Sequence, residues 1–129
     1  MNTCRGARKH FLYKRAHFNL KIINTGKSPN AWDTFTQQHP HRISDTSNGN
    51  VACDSYQKWQ EDVNALKNLG VNTYKFSLSW SRLIPNGKMN HEGLNYYNKL
   101  IDALIKNNIK PMVVLFHWDT PQYLQDIGG

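Results

Sequence analysis

Acidic residues are missing from the first thirty positions, which carry seven basic ones: Arg5, Arg8, Lys9, Lys14, Arg15, Lys21 and Lys27. The remaining nine basic residues and all nine acids fall in residues 31–129, where they cancel. The formal charge of +7 therefore belongs to an N-terminal arm and not to the body of the chain. A basic arm attracts phosphates, but no recognisable nucleic-acid-binding fold accompanies this one. An unfolded, solvated leader over residues 1–25 is the favoured reading. Long hydrophobic runs are missing too. No stretch approaches the ~18 apolar residues of a membrane span. The arm also lacks the apolar core of about 7–15 residues and the small-residue cleavage site of a secretory signal. Its basic, acid-free make-up is similar to that of an organellar transit peptide, yet serine is missing before Ser28. Cysteine is scarce, with Cys4 in the arm and Cys53 in the body. Two free thiols are expected, and they fix no redox compartment.

What is present reads as an α/β chain. At 129 residues, one domain is the prior, burying roughly two-thirds of its unfolded surface. Residues 36–51 are polar and turn-rich and read as a long loop. Asp54 followed by Gln57 has the form of a capping box. It opens a helix whose apolar stripe is Tyr56, Trp59, Val63 and Leu66, closed by Gly70. The next segment alternates: Tyr74, Phe76, Leu78 and Trp80 point one way, Thr73, Lys75, Ser77 and Ser79 the other. Pro85-Asn86-Gly87 is turn chemistry. Asn90 caps a second helix with the stripe Leu94, Tyr97, Ile101 and Leu104, and Asn107-Asn108 end it. Pro111 opens a strand whose apolar run, Met112 to Phe116, predicts cover on both faces. Thr120 then caps a third helix with Pro121 in its first position. Corresponding strand positions lie about 38 residues apart, which suits parallel βαβ units. His117, just past the second strand, and Lys75 on the first then sit where parallel α/β sheets assemble their sites.

Five blocks carry a resemblance. Lys27 to Phe35 (KSPNAWDTF), Asn48 to Tyr56 (NGNVACDSY), Glu61-Asp62-Val63, Tyr74 to Arg82 (YKFSLSWSR) and Phe116-His117-Trp118-Asp119 are similar, in order and spacing, to the early part of family 1 glycoside hydrolases. These are the β-glucosidase, lactase-like and myrosinase-like enzymes, and the arrangement most resembles the insect-type members. The resemblance spans residues 26–129 and implies the N-terminal part of a (β/α)8 barrel, about strands two and three with their helices. It leaves the first strand replaced or missing, because nothing before Gly26 matches the family's strand or its sugar-gripping glutamine. Residues 1–25 are thus expected to be a non-family leader, and an incomplete gene product is the economical explanation.

The resemblance also implies chemistry. Family members are retaining β-glycosidases, which need a proton-donating carboxylic acid and a nucleophilic carboxylate about 5–5.5 Å apart. Their two glutamates stand at the ends of strands four and seven, which places both beyond Gly129. No catalytic residue is therefore assigned within the chain, which is expected to be inactive alone. His117 matches the histidine that donates a hydrogen bond to a sugar hydroxyl, and Trp118 matches its neighbouring tryptophan, in the sugar pocket or at the barrel rim. Lys75 stands where the family usually has an arginine that keeps the nucleophile ionised; lysine keeps the charge without the planar fork. Arg82 is read as a structural ion-pair partner in a loop. The expected partner is a β-glycoside sugar, in the complete enzyme, with no cofactor, metal, nucleic acid or membrane. A non-catalytic sugar-binding or interaction relative is the alternative, and a basic-arm nucleic-acid binder is ranked last.

Overall fold

Three parallel strands make one sheet in the order β1-β2-β3: β1 at Phe11–Tyr13, β2 at Thr73–Ser77 and β3 at Lys110–Val114. The computed structural model describes residues 11–13, 26–48 and 54–129. Leader residues other than β1, and both cysteines, lie outside the described residues. The expectation of a replaced or missing first strand is corrected on one point: Phe11 to Tyr13 pair with Thr73 to Lys75, so a strand does flank β2 on that side. Three residues are too few to display a period of two, so the pairing was invisible to pattern reading.

The core lies on one face of the sheet. Alternation along β2 buries Tyr74 and Phe76 and leaves Thr73, Lys75 and Ser77 half-buried on the other face. Helix α2 (Trp59–Asn68) brings Val63 and Leu66 to that core, and helix α4 (His91–Lys106) brings Tyr97, Leu100 and Leu104. Leu104 is completely buried, and side chains of this size stabilise by about 1.5–3 kcal/mol each when fully enclosed. Asn90 caps α4 by accepting from the Glu92 amide at 3.1 Å. At the other end Asn107 and Asn108 turn the chain, Asn108 with φ of 57°. Gly70, with φ of 66°, closes α2 as expected.

Several boundaries differ from the pattern. Helix α1 covers Ala31–Gln38 and takes the first residues of the expected loop. Asn30 and Asp33 form a reciprocal cap, and the Thr36 hydroxyl returns to the Trp32 carbonyl at 3.0 Å. Helix α2 starts at Trp59, not Asp54, because Asp54 adopts φ of 47° and its carbonyl accepts from both Gln57 and Lys58 in a closed turn. Tyr56 thereby leaves the α2 stripe and packs on Tyr96 at 4.7 Å. On α4, Tyr97 and Leu104 of the expected stripe are buried, whereas Leu94 is exposed and Leu100, outside the stripe, is buried. Trp80 opens a short helix, α3 (Trp80–Leu83), and no longer continues the strand. The last helix, α5 (Gln122–Gln125), starts one residue late, with Pro121 in the cap position and no side-chain cap from Thr120.

The largest correction concerns β3. Met112, Val113, Leu115 and Phe116 are exposed, where a run covered on both faces was expected. Among the described residues only β2 pairs with β3, and α4 is the helix packed on it, so its outer edge and much of its surface face solvent.

Tyr97 ties the core to the end of β2, because its hydroxyl accepts the Ser79 amide at 2.8 Å. Burial pushes its hydroxyl pKa from 10.0 up to about 12. The folded protein thus holds this proton where the unfolded chain has lost it. The stability it contributes is complete below pH 10 and is lost as pH rises through about 12. Denaturant midpoints measured across that window should fall, and Tyr97→Phe should flatten the fall. At neutral pH the same change should cost about 1–3 kcal/mol, because the Ser79 amide loses its acceptor.

Candidate functional site at the strand ends

The carboxyl ends of β2 and β3 lie side by side, since Ser77 pairs with Val114 and the Leu78 amide reaches the Val114 carbonyl at 2.9 Å. His117 and Trp118 lie just past these ends, whereas Lys75 lies in the middle of β2. Lys75 is half-buried on the face of β2 opposite the core, in register with Met112. His117 is half-buried, three residues beyond the end of β3, and Trp118 is 74% exposed. Trp80 and Phe116 meet edge-on at 6.2 Å, and Phe116 and Trp118 also lie 6.2 Å apart, so three aromatic rings run along the rim beside His117. Trp118 has φ of 67°, a left-handed conformation that a bulky residue adopts at a cost of about 1–3 kcal/mol.

A segment from the front of the chain fastens the two ends together. The Ser28 amide donates to the Ser81 carbonyl at 2.9 Å, on the β2 side. Ala31 donates to the Thr120 carbonyl and Gln122 to the Pro29 carbonyl, each at 2.9 Å, on the β3 side. Asn30 and Pro121 complete an antiparallel bridge. Gly26, with φ of 63°, sits against the Asn90 side chain, where an added Cβ would come within 2.8 Å of Asn90 Nδ2.

Beneath this strap lies a buried polar cluster. The Lys27 ammonium is bonded to Asp33 Oδ2, and the same oxygen accepts the Asn30 amide at 3.1 Å. Asn30 Oδ1 accepts the Asp33 amide at 2.9 Å. Burial pushes the Lys27 ammonium below its ordinary range and the Asp33 carboxyl above its own, while their mutual attraction opposes both shifts. Asn30 Nδ2 and Asp33 Oδ1 are buried without a hydrogen-bond partner. Asp119, 2% exposed, accepts the Trp80 amide at 2.9 Å and the His117 amide at 3.4 Å. Arg82 is a correction of place. It lies buried on α3, its guanidinium 3.8 Å over the Tyr56 ring, and not in a loop.

Pattern reading assigned no role to Lys27, Asn30, Asp33 or Asp119. The spacing Asn30-x-x-Asp33 is a capping signature that the sequence did display, whereas the Lys27 pair and the Asp119 contacts are made only by the folded chain. No group of three or more His, Cys, Asp or Glu able to hold a metal ion occurs among the described residues. Among the same residues, no helix is long and apolar enough to cross a membrane.

Comparison with known proteins places this geometry. The chain is 56% identical over 105 residues to the furostanol glycoside 26-O-beta-glucosidase of Hellenia speciosa, an alignment covering 78% of this chain and 19% of that protein. The aphid myrosinase structure superposes with a TM-score of 0.86 at 43% identity, covering 92% of this chain and 27% of that one. A Thermotoga maritima beta-glucosidase in complex with deoxynojirimycin gives 0.85 at 36%, covering 92% and 28%. The chain spans about a fifth of the length of the curated relatives it matches. The matched stretch begins upstream of Gly26, where the resemblance was expected to start: residues 7–129 fit the profile of glycosyl hydrolase family 1, and the chain belongs to that family.

Proposed function

We propose that this chain supplies the sugar-gripping part of a retaining β-glycosidase site, with β-glucosides as the substrate class. One observation carries the reading: His117 and the aromatic series Trp80, Phe116 and Trp118 occupy one rim at the strand ends of a partial barrel. Barrel enzymes build their sites on that rim. A neutral imidazole offers one N–H donor and one acceptor, which suits a sugar hydroxyl. The exposed indole of Trp118 offers an apolar face to the C–H surface of the sugar ring. Lys75 supports an ionised nucleophile by its charge. The nucleophile and the proton donor are not provided by residues 1–129, so the chain grips sugar without cleaving it.

Deoxynojirimycin titrated into the labelled chain tests the reading. The ring signals of His117 should shift in a saturable way, while those of His39, His41 and His91 stay in place. Unmoved His117 signals, or movement of His39, His41 and His91 equal to that of His117, would refute it.

A further inference from the structure

His117 and Trp118 belong to a short turn beyond β3, so something outside the strand ladder must set where they stand. Asp119 meets that need. Left-handed Trp118 folds the chain back, and Asp119 Oδ1 reaches the amide of His117, two residues earlier, at 3.4 Å. The other oxygen, Oδ2, reaches across to the Trp80 amide at 2.9 Å, at the start of α3 and just past the end of β2. One buried carboxylate therefore joins the two strand ends, one oxygen to each. Lys27, an opposite charge, lies close enough to feel this carboxylate. Amide bonds to a carboxylate are charge-assisted and stronger than neutral ones.

Building on the sugar reading above, we propose that Asp119 is a positioning residue, which holds the His117–Trp118 turn in fixed register with the β2 end. It does not touch the sugar. It sets the direction in which the imidazole and the indole are presented.

The two-oxygen geometry makes a distinctive prediction for amide exchange in the full 129-residue chain. Asp119→Ala removes both acceptors, and protection at Trp80 and at His117 should each drop about tenfold or more. Asp119→Asn keeps a single acceptor oxygen, which the shorter Trp80 bond should claim. Trp80 should then stay protected while His117 alone loses protection. The Leu104 amide in α4 should be unaffected in both variants. If Asp119→Ala disturbs α4 as a whole, the Asp119→Asn comparison decides. The proposal is overturned if both amides exchange at coil rates in the unaltered chain, or if they respond together in Asp119→Asn.

Deoxynojirimycin separates this claim from the one it rests on. A His117 shift that weakens about fivefold or more in Asp119→Asn supports positioning, and a shift of unchanged affinity overturns it. Absence of any shift in the unaltered chain defeats the sugar reading and leaves the exchange pattern to judge Asp119.

Discussion

Asp33→Ala should lower the stability of the protein by about 3–5 kcal/mol, the range for stripping one partner from a buried ion pair. The Lys27 and Asp33 side chains are each 1% exposed, so neither charge has water to replace the other. Asp33 also caps the first turn of α1 through the Asn30 amide, and the strap that joins both strand ends starts from this turn. The pH dependence identifies the cause. Burial already holds Lys27 below its ordinary value of 10.5, and removing Asp33 deepens that shift. A lysine with a depressed folded pKa binds fewer protons folded than unfolded, so stability rises as pH climbs toward 10.5. The deficit of Asp33→Ala in denaturant unfolding should therefore be smaller near pH 10 than near pH 7. Replacing both partners, Lys27→Met with Asp33→Leu, should recover much of the loss. A variant equal to the parent at pH 7 would show that the pair contributes nothing.

The second large expected effect, resting on the proposed function, is an absence of turnover. Retaining cleavage needs two carboxylates about 5–5.5 Å apart and open to the sugar, and enzymes of ordinary power accelerate such reactions by at least ~10⁶-fold. All nine acids of the chain lie among the described residues. Glu61, Asp62, Glu92 and Asp102 are on α2 and α4, Asp126 ends α5, and Asp45 and Asp54 belong to turns. Asp33 and Asp119 both feel the charge of Lys27. Both are buried, however, and both are engaged: Asp33 with Lys27 and the Asn30 amide, Asp119 with the amides of Trp80 and His117. A nucleophile must reach an anomeric carbon, and neither carboxylate has the exposure to do so. This is the physical content of the proposal that the chain grips without cleaving.

Much of this architecture is legible in the sequence wherever a segment carries its own instructions. Helix α4 has a capping asparagine, a periodic stripe and an asparagine terminator, and the alternation of β2 separates Tyr74 and Phe76 from Lys75. The placing of His117 at a strand end followed from an apolar run and the break after it. What escaped depends on partners distant in the chain. Strand β1 exists through its ladder to β2, and three residues display no period. The start of α2 was misplaced because Asp54 took a left-handed turn in place of a cap. The run in β3 reports the burial a strand meets in a full setting, whereas β2 is its sole strand neighbour among the described residues. The roles of Lys27 and Asp119 could not be read because each is defined by a residue brought near only by folding, six positions away in one case and thirty-nine in the other.

The central claim is that the sugar grip and the cleaving pair are separable, and that residues 1–129 hold the first alone. Incubating the purified chain with a chromogenic β-glucoside, against a blank prepared identically from an expression host lacking the chain, measures this most directly. The account predicts release of chromophore at the blank rate at every chain concentration. Release that rises in proportion to the chain, and is competed away by deoxynojirimycin, would contradict it.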